Sequence, residues 1–403
     1  MKSLSIKLIA LAAISAPLIT SAQISDDKVK IGVLGDMSGV YSDVSGKGAV
    51  EAARMAVEAY GGKVAGKPIE VVFADHLNKA DVGSATARKW FDVEQVDMIT
   101  DLVNSGVALA VSEIGKEKNK VVIVSGAGVS DLTGKSCTPN TIHWTYDTSA
   151  ISKATTAALV GQGYKTWYFL TADYAFGTAM QRDATRYIEA AGGKVIGSVR
   201  HPLNPSDFSS YLLTAQSSNA QVIALANAGN DTANSVKQAS EFGIGRDGKQ
   251  RLAGLLVTLT DVHSMGLDKA QGLIVSTPFY WDRDENTRKF AVEFAKRSGG
   301  KYPTMMQAGV YSSVLNYLKA VDAAKTDDGA KVVAKMKELP TDDPLFGKGV
   351  VRQDGRKLHP MYVYQVKSPA ESKSEWDLYK LIDTVEPDKA FMSLSEGGCP
   401  LVK

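Results

Sequence analysis

Val121-Val-Ile-Val-Ser-Gly-Ala-Gly128 is the stretch whose reading decides the fold. Four successive β-branched residues leave no polar face, so a strand here is buried on both sides, as in a parallel sheet covered by helices. The glycines that follow let a ligand approach main-chain N–H groups. The crevice beyond the carboxyl ends of parallel strands is where open α/β sheets bind.

The same alternation extends outward in both directions. Strands are expected at 29–34, 69–74, 96–100, 166–171, 194–199, 222–226, 252–258 and 272–276. Between them, helical periodicity runs over 47–60, 81–93, 106–118, 151–162, 177–191, 205–216 and 231–242, with Ala49, Ala52, Ala53, Ala56 and Val57 on one face of the first. Further helices are expected at 284–298 and 305–324, then a hairpin from Phe346–Arg352 through Gln353-Asp-Gly-Arg356 to Pro360–Lys367. The class is α/β, doubly wound. Single cores stop growing beyond about 250–300 residues, so 403 residues fit two parallel-sheet lobes better than one. Extended passages at Pro139–Asp147 and Thr277–Arg283, with the returning hairpin, read as three crossings between them. The expected division is 23–144 with 280–350 in lobe 1, and 145–279 with 351–403 in lobe 2.

Composition narrows the function. At 44% hydrophobic and 22% charged, this is an ordinary globular balance. Lys plus Arg exceed Asp plus Glu by 46 − 44 = 2. Two of those lysines, Lys2 and Lys7, lie in a leader: a basic start, the apolar run Leu8–Ile19, then Thr20-Ser-Ala22. This is the pattern of a secretory signal cut after Ala22, and its apolar run is too short to span a ~30 Å bilayer core. The remaining chain is formally neutral and lacks a basic block, so no nucleic-acid partner is expected. Export makes pairing of Cys137 with Cys399 the expected state; two buried free thiols are the alternative.

Catalytic signatures fail one by one. His76, His143, His201, His263 and His359 are scattered, without zinc spacing, and no metal or cofactor is expected. Met37-Ser-Gly39 is not a nucleophile elbow. Gly61–Lys67 runs into Pro68 where a phosphate loop needs a hydroxyl, and Gly128–Ser136 has one residue too many between its glycines. Ser125-Gly-Ala-Gly-Val-Ser130 lacks the third glycine of a dinucleotide turn.

The strand ends read better as a binding cleft. In Asp101-Leu-Val-Asn104-Ser105-Gly106, Ser105 stands where it could cap the following helix while its hydroxyl and neighbouring amides receive a carboxylate; a cap without a ligand explains the pattern equally well. The second block offers a matching edge in Asp173-Tyr-Ala-Phe176-Gly177, Asn227–Asp231 and Thr258–Asp261. Tyr41, Trp144, Tyr146, Phe176, Phe279, Tyr280 and Trp281 fall at edges or crossings, and apolar walls with a few convergent polar groups describe a small-molecule cleft.

These features together resemble the Leu/Ile/Val-binding-protein family, the bilobal type I solute-binding proteins of bacterial ABC importers. The carriers are Ile31-Gly-Val-Leu-Gly-Asp-Met-Ser-Gly39, Gly48 and Ala52, Val71-Val-Phe-Ala-Asp75, Ser125-Gly-Ala-Gly128, Asp173-Tyr-Ala-Phe-Gly177, Phe208-Ser-Ser-Tyr211 and Tyr311. The resemblance implies an exported, periplasmic monomer without enzymatic activity that closes on one solute and docks on an inner-membrane permease. It implies a carboxylate grip from Asn104, Ser105, Ala127 and Gly128. Phe176, Tyr280 and Tyr41 would flank the ligand's apolar body, Asn227 and Thr258 would lie at the later strand ends, and Asp173 would face a ligand hydroxyl or cap a helix. Amino-acid-binding members place a hydroxyl residue near Gly128 and an acidic residue near Thr258, and this sequence has neither at those positions. The expected ligand is therefore a carboxylate without an amine, and the aromatic-rich crossing, with His143-Trp144 and Cys137 just before it, resembles the branch of the family that takes up aromatic carboxylates such as benzoate or cinnamate derivatives. A branched-chain amino-acid receptor, an exported hydrolase or oxidoreductase, and a ligand sensor are the alternatives.

Overall fold

A computed structural model describes residues 23–245 and 250–402. The leader lies outside them. The first lobe alternates β1 (Val29–Gly35), α1 (Gly46–Tyr60), β2 (Lys63–Val64), β3 (Lys67–Asp75), α2 (Ala80–Asp92), β4 (Met98–Asp101), α3 (Ser105–Glu117), β5 (Val121–Val124) and β6 (Thr141–His143). These strands form one sheet in the order β2-β3-β1-β4-β5-β6, parallel except for the short β2. All four residues of β5 are buried, as their uniform apolarity requires. Gly32 makes room for a helix: a Cβ there would stand 2.5 Å from the Trp90 ring of α2.

The chain crosses after His143 and builds α4 (Thr148–Gly161), β7 (Thr166–Ala172), α5 (Ala175–Ala190), β8 (Lys194–His201), α6 (Ser209–Ser217), β9 (Val222–Ala226), α7 (Asn230–Glu241), β10 (Arg251–Gly254), α8 (Leu259–Met265), α9 (Leu267–Ala270) and β11 (Ile274–Thr277). Here the sheet is β10-β9-β7-β8, all parallel. In each sheet the strand order reverses beside the first strand, between β1 and β4 and between β7 and β9. Each reversal opens a crevice at the strand carboxyl ends.

The chain returns through α10 (Glu285–Arg297), α11 (Met305–Ala324), α12 (Gly329–Glu338), β12 (Thr341–Asp343) and β13 (Gly347–Gly349), and ends with β14 (Met361–Val366), β15 (Tyr379–Val385), α13 (Pro387–Ala390) and α14 (Leu394–Gly397). The single hairpin expected over 346–367 does not form. β13 pairs with β12, while β14 lies between β11 and β15 in a separate antiparallel sheet. The Gln353–Arg356 turn closes only the bridge Val351–Lys357. Pairing with β11, far off in sequence, and with the later β15 outcompeted the local alternative. The strand expected over 252–258 likewise stops at Gly254, whose partner Leu225 stands near the end of β9.

First and third crossings run side by side: His143 N–H donates to Gly355 O at 2.9 Å and Lys357 N–H to His143 O at 3.1 Å. Arg356 and Lys357 are fully buried there. Arg356 donates to Tyr146 O at 3.2 Å and lies 3.5 Å from Asp147. Cys137 and Cys399 are disulfide-bonded with Cα atoms 5.7 Å apart, fastening the end of the chain to the loop after β5.

Candidate functional site

The first-lobe wall begins at the end of β4. Asp101 and Leu102 have φ of +78° and +56°, a left-handed turn that non-glycine residues adopt at a cost. Three residues into that turn, Asn104 caps α3, its Oδ1 accepting from the N–H groups of Gly106 at 2.9 Å and Val107 at 3.2 Å. The expectation that Ser105 caps this helix is therefore corrected. Asn104 is the residue with extended backbone, and Ser105 is the first residue inside the helix. The consequence is chemical, because the Ser105 hydroxyl is buried and has no hydrogen-bond partner.

The loop after β5 lies alongside. The Ala127 carbonyl accepts from His143 Nε2 at 2.8 Å, and the Gly128 carbonyl accepts from Thr148 N–H at 2.7 Å. A Cβ on Gly128 would stand 2.6 Å from the Tyr146 ring and 3.2 Å from that of Phe176. Glycine thus brings this loop of the first lobe against an aromatic from the crossing and one from α5. Tyr146 is held by its hydroxyl, which donates to Gly126 O at 2.8 Å.

The facing lobe closes over these loops. Tyr41 and Tyr174 join hydroxyl to hydroxyl at 2.7 Å, and Asn230 N–H donates to Val40 O at 3.2 Å. Tyr41, Asn104, Ser105, Ala127, Gly128 and Phe176 are all buried in this region. The other expected residues are spent elsewhere. Asp173 is exposed and ion-paired with Arg200 at 3.1 Å, and it caps no helix. Asn227 is saturated within the second lobe, donating to His201 Nε2 and Ser235 Oγ and accepting from Thr232 Oγ1. The Tyr280 hydroxyl sits on the backbone of Trp376 and Leu378. Of the edge aromatics, Trp144 bonds Ser312 beneath α11, Phe279 packs on Phe290 and Phe346, and Trp281 stands against Tyr302.

Thr258 caps α8 in a reciprocal box with Asp261, whose Oδ2 accepts from the Thr258 N–H and hydroxyl, each at 2.8 Å. An acidic residue therefore does stand at Thr258, contrary to the expectation that a ligand amine would find none there. Two further carboxylates lie near the strand ends. Asp101 and Asp231 are both buried, each with Oδ1 lacking a partner. Burial raises Asp101 to about 7, opposed by the hydrogen bond from Ser45 and assisted by the charge of Asp36. Burial likewise raises Asp231 and Asp261 to about 6 each. The Tyr146 hydroxyl is pushed up by burial first and then by Tyr174, Asp101 and Asp261, so these groups share one electrostatic neighbourhood. The signal that could have found them is positional: each follows the apolar run of a strand by at most a few residues. Among the described residues, no three His, Cys, Asp or Glu side chains are arranged to hold a metal ion, and no helix is long and apolar enough to cross a membrane.

Two doubly wound lobes, three crossings and a buried seam between strand ends agree with a family model described as periplasmic binding protein, which matches residues 28–373. The chain belongs to that family. A periplasmic binding protein of Burkholderia mallei superimposes with a TM-score of 0.91 at 49% identity, covering 94% of this chain and 100% of that one. A branched-chain amino-acid ABC transporter periplasmic ligand-binding protein of Burkholderia xenovorans superimposes with a TM-score of 0.82 at 42% identity, covering 93% and 100%. A Leu/Ile/Val-binding protein homolog of Brucella melitensis is 27% identical over 94% of this chain and 97% of its own length. Periplasmic binding proteins of this fold take up small molecules for ABC permeases, and this chain is such a solute-binding protein.

Proposed function

We propose that this periplasmic binding protein captures a small organic carboxylate by closing its lobes, and delivers it to an inner-membrane permease after export and removal of residues 1–22. No chemical step is involved. The observation that carries the reading is the Ser105 hydroxyl, buried and unbonded at the start of the thirteen-residue α3. A buried hydroxyl without a partner costs about 1–3 kcal/mol unless something bonds it, and the helix amides beside it favour an anion. Phe176, Tyr146 and Tyr41 supply flat apolar walls, which suit an aromatic acid.

A second reading, an α-amino acid, is favoured by a separate observation. The free Oδ1 atoms of Asp101 and Asp231 would offer an ammonium group partners, with Asp101 and Asp261 beside Tyr146 and Asp231 beside Tyr41 and Tyr174. The two readings share the carboxylate and differ in the amine.

Thermal denaturation with benzoate, cinnamate and L-leucine separates them. A ligand at a hundred times its Kd stabilises by about 2.7 kcal/mol. A rise with benzoate or cinnamate alone supports the first reading, and a rise with L-leucine alone the second. Ser105→Ala then weakens whichever acid binds by about three- to tenfold without lowering the melting temperature of the free protein, since the lost hydroxyl is buried and bonds nothing within the chain. Unchanged affinity removes Ser105 from the grip.

A further inference from the structure

A ladder of aromatic rings crosses the lobe boundary outside the seam. The Trp376 ring, in the connection between β14 and β15, lies nearly parallel to two neighbours: His263 of α8, with centroids 4.0 Å apart and planes at 8°, and Tyr302, at 5.6 Å and 4°. Trp281, in the second crossing, stands edge-on to Tyr302 at 4.7 Å. Its Nε1 donates to Trp376 O at 2.7 Å, fixing the Trp376 backbone to the crossing. His263 Nε2 meets Glu375 Oε1 at 2.8 Å, which fixes the outermost ring.

The rings come from different bodies. His263 and Trp376 belong with the second sheet and its antiparallel neighbour, whereas Tyr302 lies between α10 and α11, which pack on α1 of the first lobe. Tyr302 also lines a cavity of about 630 Å³ together with Met37 and Asp43 of the first lobe and Thr260 of the second. It therefore stands where the two lobes meet. Offset parallel rings 4.5–7 Å apart attract beyond their buried area, and separating the lobes exposes both faces to water.

We propose that Tyr302 and Trp376 are positioning residues for closure, a clasp whose stacking holds the lobes together before any ligand binds. The inference rests on the lobe-closing reading above and adds to it a bias that belongs to the protein alone. His263 extends the stack to α8, the second-lobe helix that Thr258 caps. A stack of this kind changes the ratio of closed to open molecules by about two- to tenfold.

The test uses the full mature chain without ligand. Nitroxide labels on Lys116 of α3 and Glu189 of α5, both exposed, report the distribution of lobe separations by pulsed electron paramagnetic resonance. Tyr302→Leu, with Tyr302→Ser as a second variant should the first not fold, lowers the closed-to-open ratio two- to tenfold. Tyr302→Phe keeps it, which a purely structural hydroxyl would not do. If the wild-type chain shows two separations whose ratio neither variant alters, closure stands and the clasp is wrong. If Tyr302→Phe loses as much as Tyr302→Leu, stacking is not the cause and the clasp is again wrong. A single separation in every variant, unmoved by benzoate or L-leucine, overturns both the clasp and lobe closure.

Discussion

Asp101 carries a carboxylate that the fold has buried with one oxygen bonded to Ser45 and the other free. Burial lifts it from its ordinary 3.8 to about 7. Between those values the folded chain keeps a proton that the unfolded chain has released. The stabilisation is full below about pH 4 and is lost as pH rises through 7. Asn cannot ionise, retains an acceptor for Ser45 and tolerates the left-handed backbone. Asp101→Asn is therefore expected to melt above wild type at pH 8, with the gap closing toward pH 4; calorimetric scans across that range check it. A gap independent of pH would mean that Asp101 does not titrate in this window. Ser105 shows the limit of pattern at the same scale. The sequence placed it at a helix start, but whether it or Asn104 bonds the free amides depends on which residue has extended backbone.

At the scale of elements, the parallel strands and most helices were legible because burial on both faces forces uninterrupted apolar runs, and amphipathic helices repeat every 3.6 residues. The elements that escaped were those defined by distant partners. β15 is exposed over most of its length and exists because β14 pairs with it. The tail is fixed in the same way, with α13 and α14 held against α4 and the loop after β5 and locked by the disulfide. The bond spans 262 positions, so reduction frees a long loop in the unfolded chain. Replacing both cysteines by serine is expected to cost about 2–4 kcal/mol in urea denaturation. Dithiothreitol should lower the wild type to the same value and leave the variant unmoved.

For the molecule as a whole, the lobes meet through a set of polar contacts: Ser130 donates to Asp183 at 2.7 Å, Asp131 pairs with Arg182 at 2.9 Å, Tyr41 meets Tyr174 hydroxyl to hydroxyl, and Asn230 donates to Val40. Where opening separates such partners, they act on the lifetime of the closed complex. Tyr41→Phe keeps the ring and removes the bond. With whichever of benzoate or L-leucine raises the melting temperature, stopped-flow measurement is expected to show dissociation about two- to tenfold faster and association little changed. Equal slowing of association would place Tyr41 in ligand entry instead. Small-angle scattering on the same protein should show a smaller radius of gyration with the ligand than without it.

The sequence by itself determined the doubly wound class and the strand ends that form the seam, because periodicity and uninterrupted apolarity are local consequences of burial. Only the tertiary structure decided which of those end residues meet. It withdrew Asp173 to the surface and Asn227 into its own lobe, brought Asp101 and Asp261 toward Tyr146 and Asp231 toward Tyr41 and Tyr174, and left Ser105 without a partner. The reason is physical: a side chain's free valence depends on how many neighbours from remote segments already bond it, and a linear pattern does not carry that count.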